Sequence, residues 1–235
     1  MNDNFQFRPT RFSILPNVVK NLLIINGVFF LATIAMEMVW GIDLTDMLGL
    51  HYIGASDFRP FQLVTYMFMH GSFAHLFFNM FALWMFGNTL ENYWGGKRFL
   101  LFYFVCGIGA GLTQELVQYI QYITTLQGYD NVNMGNTIVS MDEYLNLMTT
   151  VGASGAVYGI LLAFGMMFPN SRIYLYFAIP IKAKWFVLFY GILELISGFT
   201  SIDNVAHFAH VGGMLFGLVL ILYWKKKGKL YDYGE

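Results

Sequence analysis

Charge is what this chain has least of. Only 11% of its 235 residues are Asp, Glu, Lys or Arg, well below the charged share of an ordinary soluble domain. The net charge of −1 leaves no basic face broad enough to engage nucleic acid, so no nucleic-acid partner is expected. Cysteine is nearly absent too: Cys106 stands alone, which excludes an intrachain disulfide, and within its apolar run it reads as a small buried hydrophobe. There is no internal repeat and no H-E-x-x-H metalloprotease pattern. No small-x-small cleavage pattern follows the first apolar stretch, so that stretch reads as an uncleaved span rather than a signal peptide.

What is abundant is apolar. Hydrophobic residues make up 57% and aromatics 19% of the chain, and the mean hydropathy is positive, the profile of an integral membrane protein. Stretches of about 20 apolar residues are needed to cross a bilayer as helices, and six candidates occur: 22–40, 74–90, 99–120, 151–168, 185–199 and 205–224. The fold class expected is therefore an all-α polytopic membrane protein, a bundle of six transmembrane helices. It divides into a cytoplasmic N-terminal segment (1–21), a membrane domain (22–224) and a basic cytoplasmic tail (225–235).

Lysine and arginine set the orientation. Arg8, Arg11 and Lys20 precede the first span, Lys97 and Arg98 follow the second, Arg172, Lys182 and Lys184 follow the fourth, and Lys225, Lys226, Lys227 and Lys229 follow the last. The alternate loops hold only Arg59, among Asp43, Asp46, Asp57, Asp130, Asp142, Glu143 and Asp203. The positive-inside rule then puts both termini in the cytoplasm. With no transit-like presequence and a short basic tail, a bacterial inner membrane is expected. The long outer loops, 41–73 and 121–150, do not read as separate domains. The first is rich in aromatics and Met; the second has room for a short surface helix over 141–148.

Polar groups inside spans are costly and so carry information. His75 and Asn79 stand near the start of the second span, Ser154 near the start of the fourth, and His210 two turns into the sixth. All three spans enter from the outside, which sets these groups roughly 5 to 10 Å below the outer surface at the α-helical rise. His75 and Asn79 share a helix face, as do Ser154 and Tyr158. Gly152 and Gly155 frame the serine, and Gly155, Gly159, Gly213 and Gly217 supply small-residue seams along which the fourth and sixth helices can pack backbone to backbone. Taken singly, a G-x-x-x-G is a packing seam and a histidine is a satisfied core residue. Taken together at one depth, these groups point to chemistry or transport.

The run 70–79 (HGSFAHLFFN), then 152–159 (GASGAVYG) and 209–217 (AHVGGMLFG), in that order on the second, fourth and sixth spans, resembles the rhomboid intramembrane serine proteases. The resemblance covers the membrane domain. It implies a Ser-His dyad with Ser154 as nucleophile and His210 as general base, and an oxyanion hole of His75, Asn79 and the Ser154 backbone N–H. Tyr158 would pack on the catalytic imidazole, and the fifth span with the loop before the sixth, 185–204, would act as gate and cap. His207 is assigned a supporting role and His70 a loop-tethering one. Many rhomboids carry an aromatic-arginine pair in the first outer loop; here the corresponding place reads Phe61-Gln62, so loop anchoring should differ.

The residue types fit that chemistry on their own terms. Serine becomes a nucleophile when a neutral imidazole takes its proton, and the same imidazole later protonates the leaving amine. No acid is expected to complete a triad, since Asp203 is seven residues from His210 and Glu115 and Glu194 should lie deeper. The expected activity is an endopeptidase that cuts transmembrane segments of single-pass or polytopic membrane proteins near the outer face of the bilayer, without cofactor or metal. Two rivals stand beside it: a proteolytically inert relative that binds transmembrane clients, and a metal or haem protein ligated by His75, His207, His210 and His70.

Overall fold

The computed structural model describes residues 12–175, 178–200, 205–228 and 230. Arg8, Arg11, Asp203 and Lys229, which entered the reading above, lie outside them, as does most of the cap loop before the last helix.

The architecture is a helical membrane bundle. Four helices among the described residues are long and apolar enough to cross a membrane: α1 (Asn17–Trp40), the rod begun by α6 (Gly96–Gln121), α9 (Ala183–Thr200) and α10 (His207–Lys226). The two other expected spans depart from simple rods. The second is built from α4 (Phe73–Ala82), a π-turn (Leu83–Gly87) and α5 (Asn88–Trp94). It therefore runs one turn beyond the expected end at residue 90. The fourth, α8 (Ser154–Met167), has only 14 residues, about 21 Å at the α-helical rise. It was expected to begin at residue 151, but Gly152 has φ +125, a conformation closed to residues with a side chain. The chain consequently arrives extended and turns into helix only at Ser154.

Between these rods lie short elements: α2 (Leu44–Leu48), β1 (Leu50–His51) and α3 (Gln62–Thr65) in the first outer loop, then β2 (Asn131–Asn133), β3 (Ile138–Ser140), α7 (Met141–Leu147) and β4 (Thr149–Thr150) in the second. A hairpin of β5 (Arg172–Leu175) and β6 (Ile179–Lys182) joins α8 to α9. The short surface helix expected in 141–148 is α7.

The core lies where α6, α8 and α10 meet, and these three pack on one another more extensively than any other elements. Phe99, Phe102, Tyr103 and Cys106 of α6 are fully buried there, with Ile160 of α8 and Ile221 of α10, as the small-hydrophobe reading of Cys106 anticipated. Helices α1 and α9 are peripheral. Each buries only three residues, and side chains such as Leu31, Val39, Phe189 and Phe199 are exposed, which suits a lipid-facing surface.

The two long loops, 41–73 and 121–150, brace each other. Strand β1 pairs antiparallel with β4, Leu50 opposite Thr150, directly before the chain reaches Ser154. Gln62, the departure from the family pattern, is buried and takes the anchoring part: its Oε1 accepts from the N–H groups of Arg59 and His51, and its Nε2 donates to the carbonyls of Met47 and Asp57. Glu115 on α6 accepts from the Ile53 N–H, which ties the first loop to the core helix.

Candidate active site

The backbone seam expected between α8 and α10 is present and tight. A Cβ built on Gly213 would stand 1.9 Å from the Gly155 carbonyl oxygen, and one on Gly159 would stand 3.0 Å from the Gly213 carbonyl oxygen. Only glycine at these positions lets the helices approach so closely. That approach brings Ser154, the first residue of α8, to His210 in the first turn of α10: Oγ lies 2.8 Å from Nε2. The imidazole is buried and lies flat on the Tyr158 ring, with centroids 4.2 Å apart and planes at 10°. Tyr158 is one helical turn from Ser154, so α8 supplies both the hydroxyl and the platform.

His75 and Asn79 reach the same spot from α4. Ser72 caps that helix, accepting from the His75 N–H, which gives the serine of the HGSF run a local reason. The His75 Nε2 stands 2.7 Å from the point a Gly152 Cβ would occupy, and the Ser154 Oγ lies 3.6 Å from that point. Gly152 is thus bare so that an imidazole can cover it beside the hydroxyl. Asn79 is buried, and its Nδ2 donates to the His75 carbonyl. The N–H of Ser154 is among the first amides of α8, which have no partner within the helix.

His70 is buried and packs edge-on to His75, centroids 5.0 Å apart. Burial, aided by His75, pushes its pKa down to about 4. It thus packs behind His75, within the structure.

The largest departure from expectation is an acid. Glu194 was expected to lie deeper than His210; instead its Oε2 lies 2.8 Å from His210 Nδ1 and 2.7 Å from His207 Nδ1. Its Oε1 accepts from the Tyr158 hydroxyl. The reason is that α9 and α10 are consecutive and run in opposite directions, so six residues back from the end of α9 is about level with the first turn of α10. The signal is in the sequence: Glu194 stands as far from the end of the fifth span (185–199) as His210 does from the start of the sixth (205–224). A carboxylate accepts only, which assigns the proton of His210 to Nδ1 and leaves Nε2 to accept from Ser154. His207 shares the Oε2 of Glu194 with His210.

Ser154, His210, Tyr158, His75 and Asn79 line a cavity of about 1530 Å³ that also touches Phe78, Phe81 and Met85 on one side and Phe186 and Tyr190 of α9 on the other. Its outer wall is polar, with Gln114, Gln118, Thr149 and Thr150, and it extends to Arg172 and Tyr174 in the hairpin. The cavity is a groove between the α4 rod and α9.

Residues 57–227 match the Rhomboid domain family. The chain belongs to the rhomboid family. Among similar rhomboids is the protein named rhomboid protease AarA of Providencia stuartii, 30% identical over 168 residues, 66% of this chain and 52% of that protein. An uncharacterized mitochondrial rhomboid protein of Schizosaccharomyces pombe is 27% identical over 217 residues, 75% of this chain and 54% of that one. The human presenilin-associated rhomboid-like protein, mitochondrial, is 26% identical over 174 residues, 69% of this chain and 39% of that one. The chain spans about half the length of the curated relatives it matches. Several of these rhomboids are named mitochondrial, so the expected bacterial inner membrane gains no support from them.

Proposed function

We propose that this rhomboid is an intramembrane serine endopeptidase, with Ser154 as nucleophile and His210 as general base. The observation that carries the reading is the 2.8 Å contact between the Ser154 Oγ and a His210 Nε2 left free to accept by the proton on Nδ1. In attack, Oγ bonds to the scissile carbonyl carbon and its proton passes to Nε2. Collapse of the tetrahedral intermediate then sends that proton to the leaving nitrogen. The oxyanion would meet the Ser154 N–H, His75 and Asn79, whose amide turns from its own helix to the substrate; such donors act most strongly where water is scarce.

The groove fits a membrane-protein substrate. One aromatic wall faces another across a gap that reaches from the outer face to the hairpin, room for a transmembrane segment to lie beside Ser154, while the polar outer wall admits the hydrolytic water. A peptide bond in an intact helix is shielded by its own hydrogen bonds, so the preferred substrates carry helix-weakening residues and a small residue at the cut. Both termini are assigned to the cytoplasmic side and the cut to the outer side, on the loop charges.

The metal reading finds less support. Glu194, His207 and His210 do bring three donor atoms within 4.8 Å of one another, and the carboxylate thought missing from this cluster is there. Yet Oε2 already satisfies both imidazoles by hydrogen bonds, and His210 faces the serine, which a ligand role does not require.

A fluorophosphonate probe followed by peptide mapping tests the assignment. Modification is expected at Ser154 alone, lost in Ser154→Ala and His210→Ala, each of which abolishes cleavage while still inserting. Labelling at another serine, or cleavage by either purified variant, refutes it.

A further inference from the structure

The protease reading uses the Glu194 carboxylate only to place the proton of His210 on Nδ1, and gives no reason why that carboxylate stands on α9. Glu194 is the one buried residue in the outer half of that helix; the other two, Ala183 and Val187, lie near its inner end. Its carboxylate accepts from Tyr158 on α8 and from both His207 and His210 on α10. Each of those donors belongs to the core pair of helices, and the acceptor belongs to the peripheral one.

We propose that Glu194 is a positioning residue that completes a Ser154–His210–Glu194 relay, and that it makes the orientation of His210 conditional on α9 being docked. The proposal rests on the protease reading. When Ser154 attacks, the proton it gives up resides on Nε2, and the imidazolium so formed has its Nδ1–H held by Oε2; no proton passes to the carboxylate. Without that acceptor the ring is free to carry its proton on Nε2, where it donates toward the serine instead of taking from it.

Placement on α9 adds a condition that an acid on α8 or α10 would not. This helix forms one wall of the groove, so a segment pressing between it and α4 displaces the acceptor along with the wall. With α9 away, Ser154 faces an imidazole of undefined tautomer. Only when α9 returns, with the segment seated, is the base set. The three hydrogen bonds therefore couple closure over the substrate to activation of the nucleophile.

Glu194→Gln keeps the volume and one acceptor but removes the carboxylate. In proteoliposomes with a helix-destabilised transmembrane substrate, kcat is expected to fall by about 10²-fold with KM nearly unchanged. That is less than the roughly 10⁴-fold loss when a triad carboxylate becomes an amide, because Tyr158 still holds the ring plane. If Glu194 is only a latch on α9, the same change loosens the wall and leaves kcat equal or higher, which overturns the proposal. A measurement independent of turnover uses ¹⁵N-histidine-labelled wild-type protein, with His210 assigned through His210→Ala. A protonated, strongly downfield Nδ1 supports the proposal; a proton on Nε2 overturns it even if the glutamine variant fails to fold. Wild-type protein that neither cleaves nor labels at Ser154 refutes the protease reading itself, whereas an active wild type with an equally active Glu194→Gln refutes only the relay.

Discussion

Replacing Gly213 by alanine tests the geometry without touching any group that reacts. The added methyl would sit 1.9 Å from the Gly155 carbonyl oxygen and 2.6 Å from its carbon, both backbone atoms that have no rotamer to escape into. Restoring ordinary contact requires α8 and α10 to part by about 1.5 Å, since non-bonded atoms settle near 3.5 Å. His210 sits one turn before Gly213 on α10 and Ser154 directly before Gly155 on α8, so most of that shift reaches them. The 2.8 Å bond would open beyond about 4 Å, past the range of a hydrogen bond. Overpacking of this kind costs about 1 to 3 kcal/mol of stability, and a displacement near 1 Å at a reacting pair is worth about 10²-fold in rate. Gly213→Ala is therefore expected to remain inserted, to melt lower, and to cleave a test substrate at least about 10²-fold more slowly. Gly27→Ala in α1, where a Cβ meets nothing within 4 Å, is the control and should match the wild type. Wild-type cleavage by Gly213→Ala in the same liposomes would show that the close seam does not set the Ser154–His210 distance.

Asn79→Ala should lower kcat by about 10²- to 10³-fold with little effect on KM, the mark of a donor used in the transition state; equal losses in both would point to a ground-state contact. Gln62→Ala removes a buried side chain with four hydrogen bonds in the first outer loop, and a fall in stability of about 1 to 3 kcal/mol is expected, read by thermal unfolding in detergent. An unchanged melting temperature would mean that the loop anchors elsewhere. His70 takes up its proton near pH 4 in the fold but near 6.5 when unfolded, so between those values the unfolded chain binds more protons. Its contribution is complete above about pH 6.5 and is lost as pH falls through 4. Melting curves should decline over that window in the wild type and less so in His70→Phe; identical slopes would refute the assignment.

Which parts of this were legible in the sequence follows from the kind of signal each part sends. Helices α1, α6 and α10 announce themselves by apolar length alone, whereas the run 185–199 that becomes α9 is shorter than the about 20 residues a span needs. The start of α8 does not announce itself, because Val151, Gly152 and Ala153 are as apolar as the helix they precede, and only the backbone angle of Gly152 divides them. The polar quartet of His75, Asn79, Ser154 and His210 was readable because depth can be counted along a helix of known direction. Glu194 is a harder case, because it rides on a span that runs the opposite way and its depth must be taken from that span's C-terminal end. The role of Gln62 was hidden for another reason. Its four partners are backbone groups, and backbone groups leave no pattern in a sequence.

A 14-residue α8 leaves about 9 Å of a 30 Å hydrocarbon layer uncrossed. Its first residue is the proposed nucleophile, and an extended strand pair, β1 with β4, roofs the approach to it. Non-helical backbone is tolerated at membrane depth only where protein or water satisfies it, and here α4, α6 and α10 with the paired loops enclose that step. The depth of Ser154 within the bundle is thus set by the length of one helix. On the protease reading proposed above, the bundle gauges its substrates by depth: the bond cut is chosen by how far a segment sinks into the groove, and lengthening the substrate outside the bilayer should leave the cut where it was.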